Sequence, residues 1–346
     1  MKGEYRVDSI FSHIVGNDAL KKRLRADVQT GSLSHAYIIE GRRGCGKHLT
    51  ARSIAAAVNC TGDAESLPCG KCEACRKILA GLSPDVITVT RESGKATLGV
   101  DVVRALRADT ATVPGELDRK VYIVEEADLM TEAAQNALLL TLEEPPAFVM
   151  FLLLCENART LLETIRSRAP TIRVEPLGRA LLDAYLCESD PRARLTKNNL
   201  PDEYEAILTA ADGSVGEALR LLDPKERKAF LSERASVRSI VDALADRSAS
   251  DTLTALLPQP PLKRPEAIAL FSLLLTALRD LIAVSRAEDP HLCFFTDAEE
   301  AADLASRFSL SSLASLFEDT DRAIDALSRN ASVPLTLVNF SVAAGR

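Results

Sequence analysis

Apolar runs and amphipathic segments alternate along the chain from residue 10 to about residue 175. Short β-branched or bulky apolar runs predict strands, and apolar residues at helical spacing predict helices between them. The predicted strands are His35–Gly41, Asp85–Thr90, Lys120–Asp128, Val149–Cys155 and Thr171–Val174. The predicted helices are Leu49–Asn59, Gly99–Thr110 and Thr131–Pro146, and two prolines end the last of them. This alternation predicts an α/β domain with a parallel sheet covered on both faces.

The strand pattern ends after Glu175 and Pro176, and the second half of the chain is all-α in pattern. Residues up to about 235 predict three or four short helices, with Pro191–Tyr204 as a polar loop. Longer Leu- and Ala-rich helices follow a proline-rich loop at Pro258–Pro265. Because Glu266–Ala287 is apolar over most of its circumference, we expect it to be buried against neighbouring helices.

Composition narrows the class of protein. A chain of 346 residues with 47% hydrophobic and 26% charged residues indicates a globular protein of two or three domains. It has no uncharged apolar run of about 18 residues and no apolar stretch of signal-peptide length near its start, so we expect a cytoplasmic protein without a membrane span. The net charge of -7 disfavours tight DNA binding by the isolated chain, although a local basic patch stays compatible with it.

A glycine loop follows the first predicted strand, in the stretch EGRRGCGKHLTAR. In G-x-x-x-x-G-K between a strand and a helix, backbone N–H groups surround phosphate oxygens and the lysine reaches the β and γ phosphates. His48 stands where a Ser or Thr hydroxyl usually meets magnesium, and neutral imidazole is a poor ligand for that hard ion. The alternative to a phosphate site is a chance glycine turn. The candidate nucleotide-binding residues are Gly41, Gly44, Cys45, Gly46, Lys47 and His48.

Two acidic residues end the predicted strand VYIVEEAD and extend the candidate site to Glu125 and Glu126. In nucleotide hydrolases one such carboxylate lies in the magnesium shell and a second lies near the attacking water. Active enzymes usually carry Asp and then Glu, so Glu125 indicates an eroded site. The alternative is a solvated acidic strand end.

Four of the eight cysteines are clustered: Cys60, Cys69, Cys72 and Cys75, in NCTGDAESLPCGKCEACRK. Four thiolates at this spacing suit tetrahedral zinc in a closed, structural site, and a redox or iron–sulfur role is the alternative. The other cysteines are predicted to be plain buried thiols.

Two arginines flank a serine in TIRSRAPTIRV, just before the last predicted strand. An arginine there could stabilise charge on a neighbouring subunit's phosphates. The alternative is a basic helix end that pairs with the helix dipole.

Taken in order, HAYIIEGRRGCGKHLTAR, the four-cysteine insert, VYIVEEADLMTEAAQNALLLTLEEPP and LLETIRSR resemble bacterial DNA polymerase III clamp-loader subunits. The resemblance is strong over residues 8–178, and LEEPP together with the cysteine insert is its most specific part. It implies a RecA-like AAA+ P-loop domain at 1–175 with a zinc module at 60–76. A helical lid at 176–237 and a helical collar at 238–346 would follow.

The family has a gamma/tau branch, which hydrolyses ATP, and a delta-prime branch, which usually has damaged ATP machinery. Four departures from the motor pattern place this chain with delta-prime. They are His48, Glu125, Cys155 with Glu156 in place of a γ-phosphate-sensing Thr pair, and Gly216 in place of a sensor arginine. ATP or ADP binding without turnover stays open, because the loop from Gly41 to Lys47 is intact.

Ser167 and Arg168 match the family's Ser-Arg-Cys motif, with Ala169 in the Cys position. By this resemblance, Arg168 is an arginine finger offered to ATP in an adjacent motor subunit. The resemblance implies a hetero-pentamer with gamma/tau and delta subunits that loads the sliding clamp on primed DNA. Two other functions stay open: an active gamma/tau-type ATPase and a DNA-binding zinc protein.

Overall fold

The computed structural model describes residues 11, 14–62, 67–246, 248–257 and 261–344. They form two compact units. The first, here called the P-loop unit, contains the described residues up to Leu182 together with Gly213–Gly216. The second, here called the helical unit, contains Asp183–Asp212 and the described residues from Glu217 onward.

The P-loop unit contains a five-stranded sheet of β1 (Ala36–Glu40), β2 (Val86–Val89), β3 (Lys120–Val124), β4 (Val149–Cys155) and β5 (Thr171–Arg173). Its helices are α1 (Asp18–Gln29), α2 (Lys47–Val58), α3 (Glu73–Leu79), α4 (Val100–Asp109), α5 (Glu132–Glu143) and α6 (Glu163–Arg166). Helix α7 (Arg179–Ser189) begins in this unit. Each predicted strand and helix of this half is therefore present.

The sheet is parallel, in the order β2-β3-β4-β1-β5, which confirms the predicted α/β class. Alternate residues of β1, β3 and β4 enter two different apolar clusters: Ile39 lies in one and Ile38 in the other. Helix α2 packs on the first face, and α4 and α5 pack on the second. Because β4 lies between β1 and β3, the carboxyl ends of these strands bring the glycine loop, Cys155 and Glu125 to one edge.

The helical unit contains α8 (Pro191–Asn199), α9 (Pro201–Ala211), α10 (Val215–Leu221), α11 (Pro224–Ala245), α12 (Ala249–Leu256), α13 (Arg264–Val284), α14 (Ala298–Ser306), α15 (Leu310–Ser328) and α16 (Val333–Ala344). The first turn of α10 belongs to the P-loop unit. Residues 258–260 of the predicted proline loop lie outside the described residues, and Arg264 and Pro265 already belong to α13.

The prediction of a polar loop at Pro191–Tyr204 is wrong, because α8 and the first residues of α9 occupy this stretch. Asp190 caps α8 by accepting the N–H of Arg192, and Pro191 and Pro201 each stand at the start of a helix. Proline fits the first turn, where its missing N–H has no helical partner. The prolines therefore begin helices here, where the sequence pattern had indicated a break.

Helix α13 is, by length and composition, long and apolar enough to cross a membrane, with a mean hydropathy of 2.0 over its most apolar window. Its apolar side lies in the core of the helical unit through Leu270, Phe271, Leu274, Leu278 and Leu281. The ring of Phe271 meets that of Phe340 edge-on at 5.1 Å between centroids. A core position thus accounts for this apolar helix.

Helix α11 runs without interruption through residues 237 and 238, where the sequence predicts the boundary between lid and collar. Its N-cap is Asp223, which accepts the N–H groups of Lys225 and Glu226, and its interior contains no glycine. The boundaries of the lid and collar stay predictions.

Candidate nucleotide site, cysteine cluster and arginine edge

The glycine loop joins β1 to the first residue of α2. Gly44 and Gly46 adopt φ values of 74° and 103°, which favour glycine. A Cβ at Gly41 would lie 2.5 Å from the carbonyl oxygen of Val174 and 2.7 Å from Sγ of Cys45. The three glycines are thus required by the backbone, and the loop leads into a helix N-terminus, where anions are favoured.

Lys47 is bonded to its own loop. Its Nζ donates to the carbonyl oxygen of Gly41 at 2.6 Å and to that of Arg42 at 3.0 Å. A phosphate would have to replace these two contacts to bind the ammonium group.

His48 and Glu125 are in direct contact, with 3.0 Å between Nε2 and Oε1. Burial lowers the pKa of His48, the positive charge of Arg52 lowers it further, and Glu125 opposes both effects. The imidazole is therefore neutral at pH 7 and donates through Nε2 in the corresponding tautomer. The two side chains that stand at the usual positions of magnesium ligands are thus bonded to each other.

Glu126 adopts a left-handed backbone conformation, with φ at 48°, and its Oε2 accepts a hydrogen bond from Nε of Arg91 at 2.7 Å. Arg91 also donates to the carbonyl oxygen of Lys95, in the segment between β2 and α4. Sequence reasoning did not find Arg91, although its place just after β2 puts it at the carboxyl edge of the sheet.

The end of β4 presents Cys155 and Glu156. Burial raises the pKa of the Cys155 thiol to about 12, and the nearby carboxylates of Asp128 and Glu40 raise it as well. The N–H of Glu156 donates to Oδ2 of Asp128 at 2.9 Å. A neutral buried thiol and a carboxylate thus stand at the predicted sensor position, and neither attracts a phosphate.

The segment Gly213–Gly216 lies directly on the glycine loop, within the P-loop unit. The N–H of Gly216 donates to the carbonyl oxygen of Gly44 at 2.9 Å, and Oγ of Ser214 donates to that of Arg43 at 3.0 Å. A Cβ at Gly216 would lie only 2.9 Å from Cα of Gly44. Gly216 therefore permits a backbone contact that an arginine would prevent.

The four clustered cysteines converge, with all sulfur atoms within 4.8 Å of one another. Sγ of Cys60 lies 3.9 Å from Sγ of Cys72, close to the roughly 3.8 Å that a tetrahedron of 2.3 Å zinc–sulfur bonds requires. Backbone N–H groups point at these sulfurs, as in the contact from Cys69 to Cys60 at 3.3 Å. The donor set fits zinc, with Cys75 fully buried and the other three cysteines half-buried.

The pKa values of Cys72 and Cys75 are shifted in opposite directions. Burial opposes ionisation of Cys72, but the N–H groups of Cys75 and Thr61 outweigh it and lower the pKa of Cys72 to about 6. Burial raises the pKa of Cys75. Elsewhere in the described chain, Cys45, Cys155 and Cys293 are buried, as predicted, whereas Cys187 is half-buried.

Arg168 is half-buried and lies just after α6, beside the exposed residues Arg166 and Ser167. Its Nη2 is 2.7 Å from Oε1 of Glu143, and its Nη1 donates to the carbonyl oxygen of Thr164 at 3.0 Å. Ala169 is fully buried, whereas the Arg168 side chain keeps 36% of its accessible surface. Sequence reasoning did not single out Glu143 as a partner of Arg168, although it belongs to LEEPP.

Comparison with known families concerns this same unit. Residues 16–178 match the family model described as "DNA polymerase III, delta subunit". This P-loop domain is similar to DNA polymerase III subunits. The matched range holds the glycine loop, the cysteine cluster, Glu125, Glu126 and Arg168.

Curated relatives include subunit gamma/tau of Mycobacterium tuberculosis, which is 34% identical over 225 residues, 64% of this chain and 37% of the relative. Subunit tau of Bacillus subtilis is 33% identical over 213 residues, 62% of this chain and 37% of the relative. The chain thus spans little more than a third of the length of these two relatives. A solved gamma-subunit-related protein of Thermotoga maritima shares 16% identity and a TM-score of 0.49, over 93% of this chain and 98% of that one.

Proposed function

We propose that this chain is a delta-prime-type subunit of a DNA polymerase III clamp loader. It would be part of the assembly but would not hydrolyse ATP itself. It would join gamma/tau- and delta-type subunits in a cytoplasmic hetero-pentamer that loads the sliding clamp on primed DNA. Its role would be that of a stator, which supplies Arg168 to the ATP site of a neighbouring subunit.

The contact between His48 and Glu125 is the main support. Magnesium-dependent phosphoryl transfer needs a loop hydroxyl and a strand-end acid on the metal. Here an imidazole takes the place of the hydroxyl, and it bonds the acid directly at 3.0 Å. Magnesium prefers oxygen ligands, and the only such ligand in this pair is the Glu125 carboxylate, which is already bonded to His48.

The glycine loop adds a second argument. Lys47 is bonded to Gly41 and Arg42, and the loop carbonyl of Gly44 is bonded to Gly216. A nucleotide would gain phosphate contacts but lose these internal ones. We therefore propose weak ATP or ADP binding at most, and no hydrolysis.

Zinc is part of the proposal. Cys60, Cys69, Cys72 and Cys75 would hold one ion in a closed tetrahedral site, since their sulfurs already lie at suitable distances. When bound, such an ion contributes folding energy to the chain around it. Its role would be structural.

Arg168 would act in trans as an arginine finger, with its side chain half-buried while Ala169 and Ile165 anchor the segment in the core. A guanidinium delivered to a neighbouring phosphoryl group stabilises the charge that develops there. The clamp and the DNA would be contacted through the assembled complex.

An active gamma/tau-type ATPase is the second candidate. The identity to gamma/tau relatives and the intact glycine backbone favour it. It would need His48 to leave Glu125 and water to take the place of the missing hydroxyl on the metal.

ATP turnover by the purified chain separates the two candidates. We expect no hydrolysis above background, and His48→Thr alone should not restore it, because Glu156 and Gly216 remain. Multiple turnovers that Lys47→Ala abolishes would instead support the motor function.

A further inference from the structure

The ion pair between Arg168 and Glu143 joins the ends of two helices. Glu143 is the last residue of α5, and Arg168 follows α6 by two residues. Besides Glu143, the guanidinium contacts the carbonyl oxygen of Thr164 at 3.0 Å and Oγ of Ser167 at 3.4 Å, both through Nη1. Among the described residues, Nε of Arg168 has no hydrogen-bond partner. One edge of the guanidinium is thus bonded within the chain, and donor capacity remains for another acceptor.

Helix α5 holds Glu143 firmly. Its inner side, with Leu138 and Leu142, is buried in the core beneath the sheet. Gln135 is also buried, and its side chain donates to the carbonyl oxygen of Met130 and accepts the N–H of Leu162, the N-cap residue of α6. The core and this amide therefore fix α6 relative to α5, and with it Arg168 relative to Glu143.

We propose that Glu143 is a positioning residue for Arg168. It holds Nη2 of the guanidinium in a fixed orientation, which leaves Nε available to another acceptor. An arginine side chain loses much rotational freedom when it docks, and a bonded edge removes part of that loss beforehand. This inference rests on the proposed function, in which Arg168 reaches a phosphate of a neighbouring subunit.

The same pair could in principle restrain Arg168 and keep it from a phosphate. The Arg168 and Glu143 side chains are exposed by 36% and 46%, and pairs this exposed to solvent are weak. Such a contact biases the rotamers of a flexible side chain but does not hold it against a doubly charged acceptor. Positioning and restraint predict opposite signs when Glu143 is changed.

The test uses a reconstituted loader that contains this chain with Glu143→Gln, Arg168→Ala or both changes. The Arg168-dependent rate is the difference in clamp- and DNA-stimulated kcat between unmodified and Arg168→Ala loaders. Glu143→Gln should lower this rate about two- to fivefold, as expected for loss of an exposed charge pair, and leave KM for ATP unchanged. The double variant should match Arg168→Ala alone, because Glu143 acts through Arg168. Glu144→Gln, an exposed acid next in the chain, is the matched control.

A second readout needs neither activity nor partners. In the isolated chain labelled with ¹⁵N-arginine, the Nε–H signal of Arg168 should lose order in Glu143→Gln but not in Glu144→Gln. Equal order of this signal in both variants would overturn the inference. If Arg168→Ala impairs the loader, a kcat that is raised or unchanged in Glu143→Gln would also overturn it. A further loss of rate in the double variant would also overturn it, since Glu143 would then act by another route. If Arg168→Ala has no effect on the loader, the proposed finger fails, and the labelled chain still decides whether Glu143 orders Arg168.

Discussion

His48 bonds Glu125 across the space between the start of α2 and the end of β3. Each of these residues departs from the pattern of an active nucleotide hydrolase, and the structure shows that the two departures meet. The imidazole donates to the carboxylate, so each side chain has a hydrogen-bond partner without a metal ion. The erosion of the site is therefore compensated locally.

The burial of His48 predicts how its imidazole titrates. Because burial and Arg52 lower the pKa of its imidazole, the ring should titrate below its ordinary value of 6.5 in an NMR titration. The pKa is depressed by folding, so the contribution of this group to stability is present above pH 6.5 and is lost as the pH falls toward the folded-state pKa. Glu125→Gln removes the opposing negative charge and should lower the pKa further. A pKa above 6.5 in the unmodified chain would contradict this effect of burial and Arg52.

The cysteine cluster predicts a metal content. The purified chain should carry about one equivalent of zinc, and Cys72→Ser should release it, since a closed four-thiolate site tolerates no lost ligand. Metal analysis and hydrogen exchange should show local opening around residues 60–76 with the sheet intact. Cys187→Ser, outside the cluster, should leave the zinc in place. A folded, metal-free protein with all four thiols reactive would rule out the site.

Gly216 predicts a steric effect. A methyl group there would approach Cα of Gly44 within 2.9 Å, so Gly216→Ala should displace the segment and lower the free energy of unfolding by about 1–3 kcal/mol. Gly178→Ala is the control, because nothing lies within 4 Å of its Cβ position. Urea denaturation gives both values. Equal stability of the two variants would mean that Gly213–Gly216 does not rest on the loop.

Asp280 predicts a stability effect in the helical unit. This fully buried carboxylate accepts the N–H groups of Cys293, Phe294 and Phe295, and it also contacts Arg279. Asp280→Ala should lower the free energy of unfolding by about 3 kcal/mol or more, because these buried donors lose their acceptor. Asp280→Asn keeps one carbonyl acceptor and should cost less. The exposed Asp289 is the control, and a loss at Asp289→Ala equal to that at Asp280→Ala would contradict this role.

Much of the P-loop unit could be predicted from the sequence, since each strand is a short apolar run with a helix after it. The edge of the sheet where Gly41, Glu125 and Cys155 converge follows from the parallel order of these strands. The pattern could not show that His48 and Glu125 bond each other, because side-chain contacts across strands depend on the fold. It could not show Arg91 or Glu143 as partners for the same reason.

The helical unit was harder to predict. The stretch Pro191–Tyr204 has the composition of a loop. Only the cap at Asp190 and the burial of Tyr204 show that Pro191 and Pro201 begin helices. Within the P-loop unit, the contact of Gly216 with Gly44 joins positions 172 residues apart, and no local pattern encodes it. The apolar pattern of α13 likewise does not show that Asp280 accepts the backbone N–H groups of residues 293–295.

The central claim is that this chain gives an arginine to a neighbouring site and does not use its own. The most direct test is a clamp loader reconstituted with Lys47→Ala or Arg168→Ala in this chain alone, assayed for ATP hydrolysis and clamp loading. Lys47→Ala should leave both rates unchanged, since Lys47 is bonded to its own loop. Arg168→Ala should lower hydrolysis in part and loading more strongly, because a finger supplied in trans is worth about 10³–10⁵ in rate at its site. Arg168→Lys should not rescue, as lysine lacks the planar fork. Loss of activity with Lys47→Ala and unchanged activity with Arg168→Ala would contradict the account and identify the chain as a motor.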